Sequence, residues 1–287
     1  MAQVPDMPSR PPLSPIAIDD GFLGSTAIFF RVKPGVVLKA PVCRQEDLVI
    51  RLRESVASGL SNEKKILARL GDHPRITKYL GWHDEFPTGL LFVEASPGSL
   101  QSFLDDPNRD ISLSVRKSLF RQATEAIAYI HSRDVIHSDL RPDNFLVHTI
   151  GSTDFDLMLC DFGGSACEEI GIPGENLPDD GFFDPNSGWT TTVTTDIFSL
   201  GSVLYTIVSG HWPYREPPCG LFTSREEVEE YESRVNGFFK EGIFPDTKGL
   251  YGGEIILGCW TGQYSSANDI LRAVDALESL TSDSETC

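Results

Sequence analysis

The order of apolar and polar positions divides the chain into a strand-rich first third and a helix-rich remainder. Ile28-Phe29-Phe30-Arg31-Val32 and Val36-Val37-Leu38-Lys39-Ala40 are β-branched and aromatic runs on either side of Lys33-Pro34-Gly35, which predicts a hairpin. A strand ending near Leu23 is expected to precede it, leading into the loop Gly24-Ser25-Thr26-Ala27. Glu46 to Val56 and Ser61 to Leu70 carry apolar residues at helical spacing, with Ile66, Leu67 and Leu70 on one stripe. Two further strands are expected near Thr77 to Gly81 and Leu90 to Glu94. From Ser112 onward the period becomes 3.6, predicting helices near Ser114 to Ser132, Thr195 to Ser209, Ser224 to Lys240 and Ser266 to Leu280. Pro97 and Gly98 interrupt the pattern, so a boundary between two lobes is expected near Ala95 to Gly98. Residues 1–15 hold five prolines and little apolar content and read as a disordered leader. No internal repeat is visible.

Composition narrows the partners more than the fold. A chain of 287 residues, 40% hydrophobic, can bury a sizeable core. Its formal net charge of -18 argues against nucleic acid or an anionic membrane as partner, because phosphate groups repel a field of that sign. Basic or neutral partners are favoured. The six cysteines form no CxxC pair, which argues against a zinc site or a disulfide framework and for reduced thiols, so a cytoplasmic or nuclear location is expected. No apolar run approaches the roughly 20 residues that span a bilayer.

The chemistry is concentrated in His137-Ser138-Asp139-Leu140-Arg141-Pro142-Asp143-Asn144 and, a short strand later, Asp161-Phe162-Gly163. Two carboxylates and one carboxamide recur there at a spacing that lets one act on a hydroxyl while the other two hold magnesium on nucleotide phosphates. On these residues the chain resembles the eukaryotic protein kinases, nearest their serine/threonine branch. The likeness extends from about residue 17 to about residue 280 through the His73-Pro74-Arg75-Ile76 turn, Gly98-Ser99-Leu100, and Asp196-Ile197-Phe198-Ser199-Leu200-Gly201.

The resemblance implies an α+β, two-lobed fold with a small five-stranded antiparallel lobe bearing one main helix and a larger, mainly helical lobe. The expected limits are 1–16 for the leader, 17–95 and 96–280 for the lobes, and 281–287 for a tail. It implies ATP and Mg2+ in the cleft and a protein serine or threonine as acceptor. By motif position, Asp139 would accept or orient the hydroxyl proton, and Asn144 and Asp161 would hold the metal. Lys39, closing a Val-Val-Leu-Lys strand, would meet the α and β phosphates with Glu63 as its ionic partner. Arg141 stands where a lysine usually does, a cation beside the transferred phosphoryl that keeps the charge but changes the shape. Gly24 and Ala27 fall at the second and third positions of the glycine-rich loop, with Phe22 at the first. Val37 and Leu146, with Phe29, would sandwich the adenine; Val93 would be the gatekeeper, and Glu94 to Ser96 would offer backbone groups to the adenine edge. A second stack is expected through Leu67, Tyr79, Phe162 and His137.

Departures from the pattern bear on regulation. Ser138 replaces the arginine that pairs with a phosphorylated activation segment, so switching by such phosphorylation is not expected. The glutamate and arginine of a buried ion pair in the helical lobe are both missing, near Asp184-Pro185 and near Gln263 to Ser265. Three functional classes therefore remain: an active protein kinase, a pseudokinase scaffold, and a small-molecule phosphotransferase with a similar carboxylate arrangement. Asp139, Asn144, Asp161 and Lys39 favour the first, Phe22, Ala27 and Ser138 the second, and Gly163 with the Asp196–Gly201 motif stands against the third.

Overall fold

A computed structural model describes residues 27–41, 49–151, 153–174, 179–220 and 222–285. In the small lobe, β1 (Ala27–Lys33) and β2 (Val36–Pro41) form the hairpin expected from the sequence. Its two-residue turn requires Gly35, whose φ of 78° is costly for any residue with a Cβ. Helix α1 (Val49–Leu70) follows, then β3 (Tyr79–His83) and β4 (Gly89–Val93), in the antiparallel order β1-β2-β4-β3. The fifth strand, expected to end near Leu23, lies outside the described residues.

Helix α1, the one main helix of the small lobe, joins the two stretches of helical spacing seen in the sequence. It runs without a break through Gly59 to Leu70. An interior glycine costs about 1 kcal/mol, less than is gained by burying Leu60, Ile66, Leu67 and Leu70 on one face.

A second sheet begins beyond β4. There β5 (Pro97–Ser99) leads into α2 (Leu100–Asp105) and α3 (Leu113–Ser132). The chain then returns as β6 (Phe145–Ile150) and β7 (Asp154–Leu159), giving the order β5-β6-β7. Pro97 and Gly98, read as a break, thus form an edge strand, a position where a missing proline N–H costs nothing. The link between α1 and β3 is tied to the large lobe, because Leu159 N–H donates to Arg75 O at 2.8 Å and Thr77 N–H to Leu159 O at 2.9 Å.

Beyond a short ribbon of β8 (Ala166–Cys167) and β9 (Ile172–Pro173), the large lobe is built on α4 (Val193–Ser209), packed between α3 and α6 (Gly253–Trp260). Almost every residue of α4 from Thr195 to Ile207 is buried. Its N-terminus is closed by a reciprocal Thr192–Thr195 capping box. Helices α5 (Arg225–Lys240) and α7 (Ala267–Glu285) complete the lobe. α7 continues past Leu280 into the segment expected as a tail, since extending an existing helix needs no new nucleus. No helix among the described residues is long and apolar enough to cross a membrane.

Candidate active site

Three elements converge on one buried ammonium group. Lys39 Nζ on β2 donates to Glu63 Oε2 on α1 at 2.8 Å and to Asp161 Oδ1, just after β7, at 2.6 Å. The other oxygen of Glu63 accepts from the Phe162 N–H at 3.4 Å, so one carboxylate joins α1 to both the lysine and the loop after β7. Lys39 and Glu63 are almost wholly buried, while 47% of the Asp161 side chain remains exposed. Burial works against the charge on Lys39, but Asp161 and Glu63 outweigh it and hold the ammonium well above its usual range. The two acids share that cation unequally: burial pushes Glu63 up, whereas Asp161, despite its crowded surroundings, is held down by Lys39. The stable charge distribution is an ammonium facing an ionised Asp161.

The catalytic loop is shaped from below by α4. Asp196 Oδ2 accepts from the His137 N–H at 2.7 Å and from His131 Nε2 at 2.9 Å, and Oδ1 accepts from the Ser138 N–H at 3.0 Å. With Thr192 doing the capping of α4, the Asp196 carboxylate serves the loop. Its bonds help hold Ser138 at φ 70°, an uncommon conformation for a residue with a side chain, and Asp161 sits at φ 61°. The His137 ring meets the fully buried Phe162 ring edge-on at 5.2 Å. Leu67 belongs to the same core as Phe162, and Tyr79 packs against that core.

Asn144 Nδ2 donates to Asp139 O at 2.7 Å and to Asp139 Oδ2 at 3.0 Å, which turns the amide oxygen away from that aspartate. Burial, with Asp161 and Asp179 nearby, raises the Asp139 carboxyl to about 6. Arg141 is engaged rather than free: Nε and Nη2 donate to Asp143 Oδ2 at 3.1 and 2.8 Å, and Nη1 donates to Asp179. The sequence offered no sign of Asp179, because nothing in its neighbourhood repeats or matches a motif. Among the described residues no cluster of three or more His, Cys, Asp or Glu is arranged for a metal. The Asp161 carboxylate, 47% exposed, and the amide oxygen of Asn144 are hard-oxygen groups of the kind that could serve magnesium, which retains several of its own waters.

The wall of the cleft needs one correction. Val36 pairs with Val93 and Val37 with Phe92, and residues directly opposite one another in a sheet share a face. Phe92, not Val93, therefore lies on the face that carries Val37 and Lys39, and its ring leans against Tyr79 at 5.9 Å. One residue of register moved the expected gatekeeper to the other side of the strand. At the lobe junction, Glu94 N–H donates to Gly35 O at 3.0 Å and its carboxylate takes Arg31 Nε at 2.9 and 3.1 Å, while Ser96 O accepts from Thr149 N–H at 3.1 Å. Leu146 is on β6 opposite Ser99 and Met158. Ala27 opens β1, buried and paired with Pro41. Gly24 and Phe22 lie outside the described residues. Cys160, next to Asp161, has its thiol pushed well up by burial and by neighbouring carboxylates, so it is a poor nucleophile at neutral pH.

A family model for the protein kinase domain matches residues 49–230. The chain belongs to the protein kinase domain family. Similar proteins include the serine/threonine-protein kinase par-4 of Caenorhabditis elegans, 27% identical over 171 residues, which cover 55% of this chain and 27% of that protein. The serine/threonine-protein kinase RAD53 of Saccharomyces cerevisiae is 28% identical over 215 residues, covering 66% of this chain and 24% of that protein. A calcium/calmodulin-dependent protein kinase type 1 of Macrobrachium nipponense is 28% identical over 166 residues, 57% of this chain and 48% of the relative. This kinase domain thus spans between about a quarter and a half of the length of these relatives.

Proposed function

We propose that this kinase domain transfers the γ-phosphoryl group of ATP to serine or threonine hydroxyls of protein substrates. The observation that carries the reading is the joint placement of Lys39, Glu63 and Asp161 within hydrogen-bond reach, beside an Asp139–Asn144 pair. Serine/threonine specificity is drawn from the names of the similar proteins. Bound magnesium would neutralise phosphate charge during transfer. Asn144 and Asp161 supply its protein oxygens, and Lys39 binds the phosphates with its direction fixed by Glu63. Asp139, raised by burial yet mostly ionised at neutral pH, accepts the hydroxyl proton. Arg141 adds positive charge beside the reacting group. Val37, Leu146 and Phe92 bound the space for the base, and edge contacts come from the backbone between Glu94 and Ser96 other than the Glu94 N–H and Ser96 O, which bond Gly35 and Thr149. Residues 17–95 and 96–280 are taken as the two lobes. The acidic chain suits basic substrate segments and a cytoplasmic or nuclear setting.

The test is incubation of the full chain with labelled ATP and magnesium beside Asp139→Asn and Lys39→Met variants. Phosphate incorporation into protein that both substitutions abolish is the expected result. Nucleotide binding without transfer would select the pseudokinase scaffold, the reading favoured by Ala27 being packed into β1. Transfer to a metabolite alone would select the small-molecule phosphotransferase.

A further inference from the structure

Between Gly163 and α4, residues Asp179 to Phe183 form a short acidic turn with three anchors. Asp179 accepts a hydrogen bond from Arg141 Nη1, and Asp180 accepts one from Asn236 Nδ2 on α5. Phe182, whose N–H donates to Asp179 O at 2.9 Å, is fully buried and meets the Trp212 ring edge-on at 5.2 Å. Gly181 lies so close beneath Tyr231 that a Cβ there would come within 2.3 Å of the phenol oxygen. From the opposite side, Asp143 grips the Nε–Nη2 edge of Arg141. One guanidinium therefore bridges two carboxylates, one from its own loop and one from the segment. Such a forked, planar contact specifies orientation in a way a lysine could not.

Position 138 offers no second cation. The Ser138 hydroxyl lies 3.5 Å from Ile136 O, and Gly174 crowds against it: a Cβ on Gly174 would sit 3.3 Å from Ser138 Oγ and 2.9 Å from the Ala166 Cβ. That junction brings small residues, Ser138, Ala166 and Gly174, close together. Around the turn, Asp139 and Asp143 in the catalytic loop and Glu229 and Glu232 on α5 add negative charge. Arg234 on α5 donates instead to Tyr214 O at 2.6 Å.

We infer that Asp179 is a positioning residue: it aims the Arg141 guanidinium and pins the segment to the catalytic loop, supplying permanently the negative charge that phosphorylation would otherwise add. An isolated exposed ion pair contributes little. Here the residues that follow it, Asp180 and Phe182, are already anchored, so pairing Asp179 costs little additional ordering.

The kinetic part of this inference rests on the proposed phosphoryl transfer, and the structural part does not. The experiment measures backbone hydrogen exchange over residues 179–187 of the full chain and, in parallel, transfer from labelled ATP to a randomised Ser/Thr peptide library. Asp179→Asn is expected to speed exchange by roughly threefold or more and to lower kcat by roughly tenfold through misplacement of the cation, with KM for ATP unchanged. Asp179→Glu should restore both. The double variant Arg141→Gln/Asp179→Asn should exchange no faster than Arg141→Gln alone, and phosphatase treatment of the unsubstituted chain should change nothing. Unaltered exchange in Asp179→Asn would overturn the inference. So would increased transfer, which would make Asp179 a competitor for Arg141, or faster exchange after phosphatase, which would mean a phosphate orders the segment. If the unsubstituted chain transfers no phosphate at all, the functional reading fails while the exchange result still decides the role of Asp179.

Discussion

In the cleft, the lobes meet through charge; at the base of the helical lobe, helices meet through aromatic rings. Lys39, Glu63 and Asp161 keep three ionisable groups together at the cost of burying two of them. By contrast, where α4, α5 and α6 join, Phe198, Phe239 and Trp260 pack with Phe244, whose ring stacks on Trp260 at 5.5 Å. The nearby Asn186 contributes only a 3.4 Å bond from its amide to Phe239 O. The sequence departs from the family's glutamate–arginine pair near Asp184-Pro185 and Gln263 to Ser265, and a buried ion pair can be exchanged for well-packed apolar groups without loss of stability. The contrast teaches where charge is replaceable. A purely structural junction can trade it for packing; the grip on a polyphosphate and a cation proposed for the cleft could not.

The largest expected effect breaks chemistry and leaves the fold alone. Asp139→Asn should lower phosphoryl transfer by roughly 10²- to 10⁴-fold, while thermal unfolding moves by only a few degrees because the amide can still accept the bond from Asn144. Parallel collapse of activity and melting temperature would mean that the cleft charges serve the fold, erasing the contrast. The reverse result is expected in the aromatic junction. Phe239→Ala removes a fully buried ring touching four others and should destabilise by about 3–5 kcal/mol in urea denaturation. The fraction that remains folded should keep its turnover per molecule.

The two regions also differ in how readily the sequence discloses them. Asp139, Asn144 and Asp161 occur within a short span whose spacing suits the task proposed for them, and the helices from Ser114 onward announce themselves through a 3.6-residue period. Neither signal reports partners distant in sequence. The aromatic junction draws Phe198, Phe239, Phe244 and Trp260 from three helices and a loop, and periodicity identifies the buried face of each helix but not what it meets. Asp179 was invisible for the same reason: its partner Arg141 is 38 residues away. The shift from Val93 to Phe92 is a matter of strand register, which a hairpin turn specifies and a crossover connection does not. The helical spacing is plain on both sides of residues 57–60 of α1 and faint across them, and burial of Leu60 is a tertiary fact that periodicity does not report.

A smaller effect is expected at Glu63, where the two regimes overlap, since this buried acid is both structural and electrostatic. Glu63→Gln keeps an oxygen for the Phe162 N–H and leaves Lys39 its bond to Asp161. Stability should change by about 1 kcal/mol or less, because the lost attraction is offset by no longer burying a carboxylate whose pKa is already pushed up by burial. Transfer should nevertheless fall by roughly tenfold, since Lys39 loses one of the two contacts that aim it. Kinetics and denaturation on the same preparation check both halves, and a loss of several kcal/mol with normal transfer would reassign Glu63 to the structural class.

The smallest effect belongs to charge at the surface, which should be neither irreplaceable nor exchangeable for packing. At the start of α7, the Asp269 N–H donates to Ser266 Oγ at 3.2 Å, and its carboxylate accepts from the hydroxyls of Ser266 at 2.8 Å and Ser265 at 2.9 Å, with Arg272 alongside. The hydroxyls of Ser266 and Ser265, with help from Arg272, lower its pKa from 3.8 to about 2. The folded state thus binds this proton more weakly than the unfolded chain, so the ionised group stabilises above pH ~4 and that contribution disappears as pH falls through about 2. Asp269→Asn should accordingly flatten the acid limb of the stability curve between about pH 4 and 2 while leaving stability at pH 7 slightly lower and transfer unchanged. Acid titration of unfolding, followed by circular dichroism in both proteins, provides the measurement. A large loss at pH 7 would show that this exposed cap is coupled to the α7 core, and the division between cleft charge and surface charge would have to be redrawn.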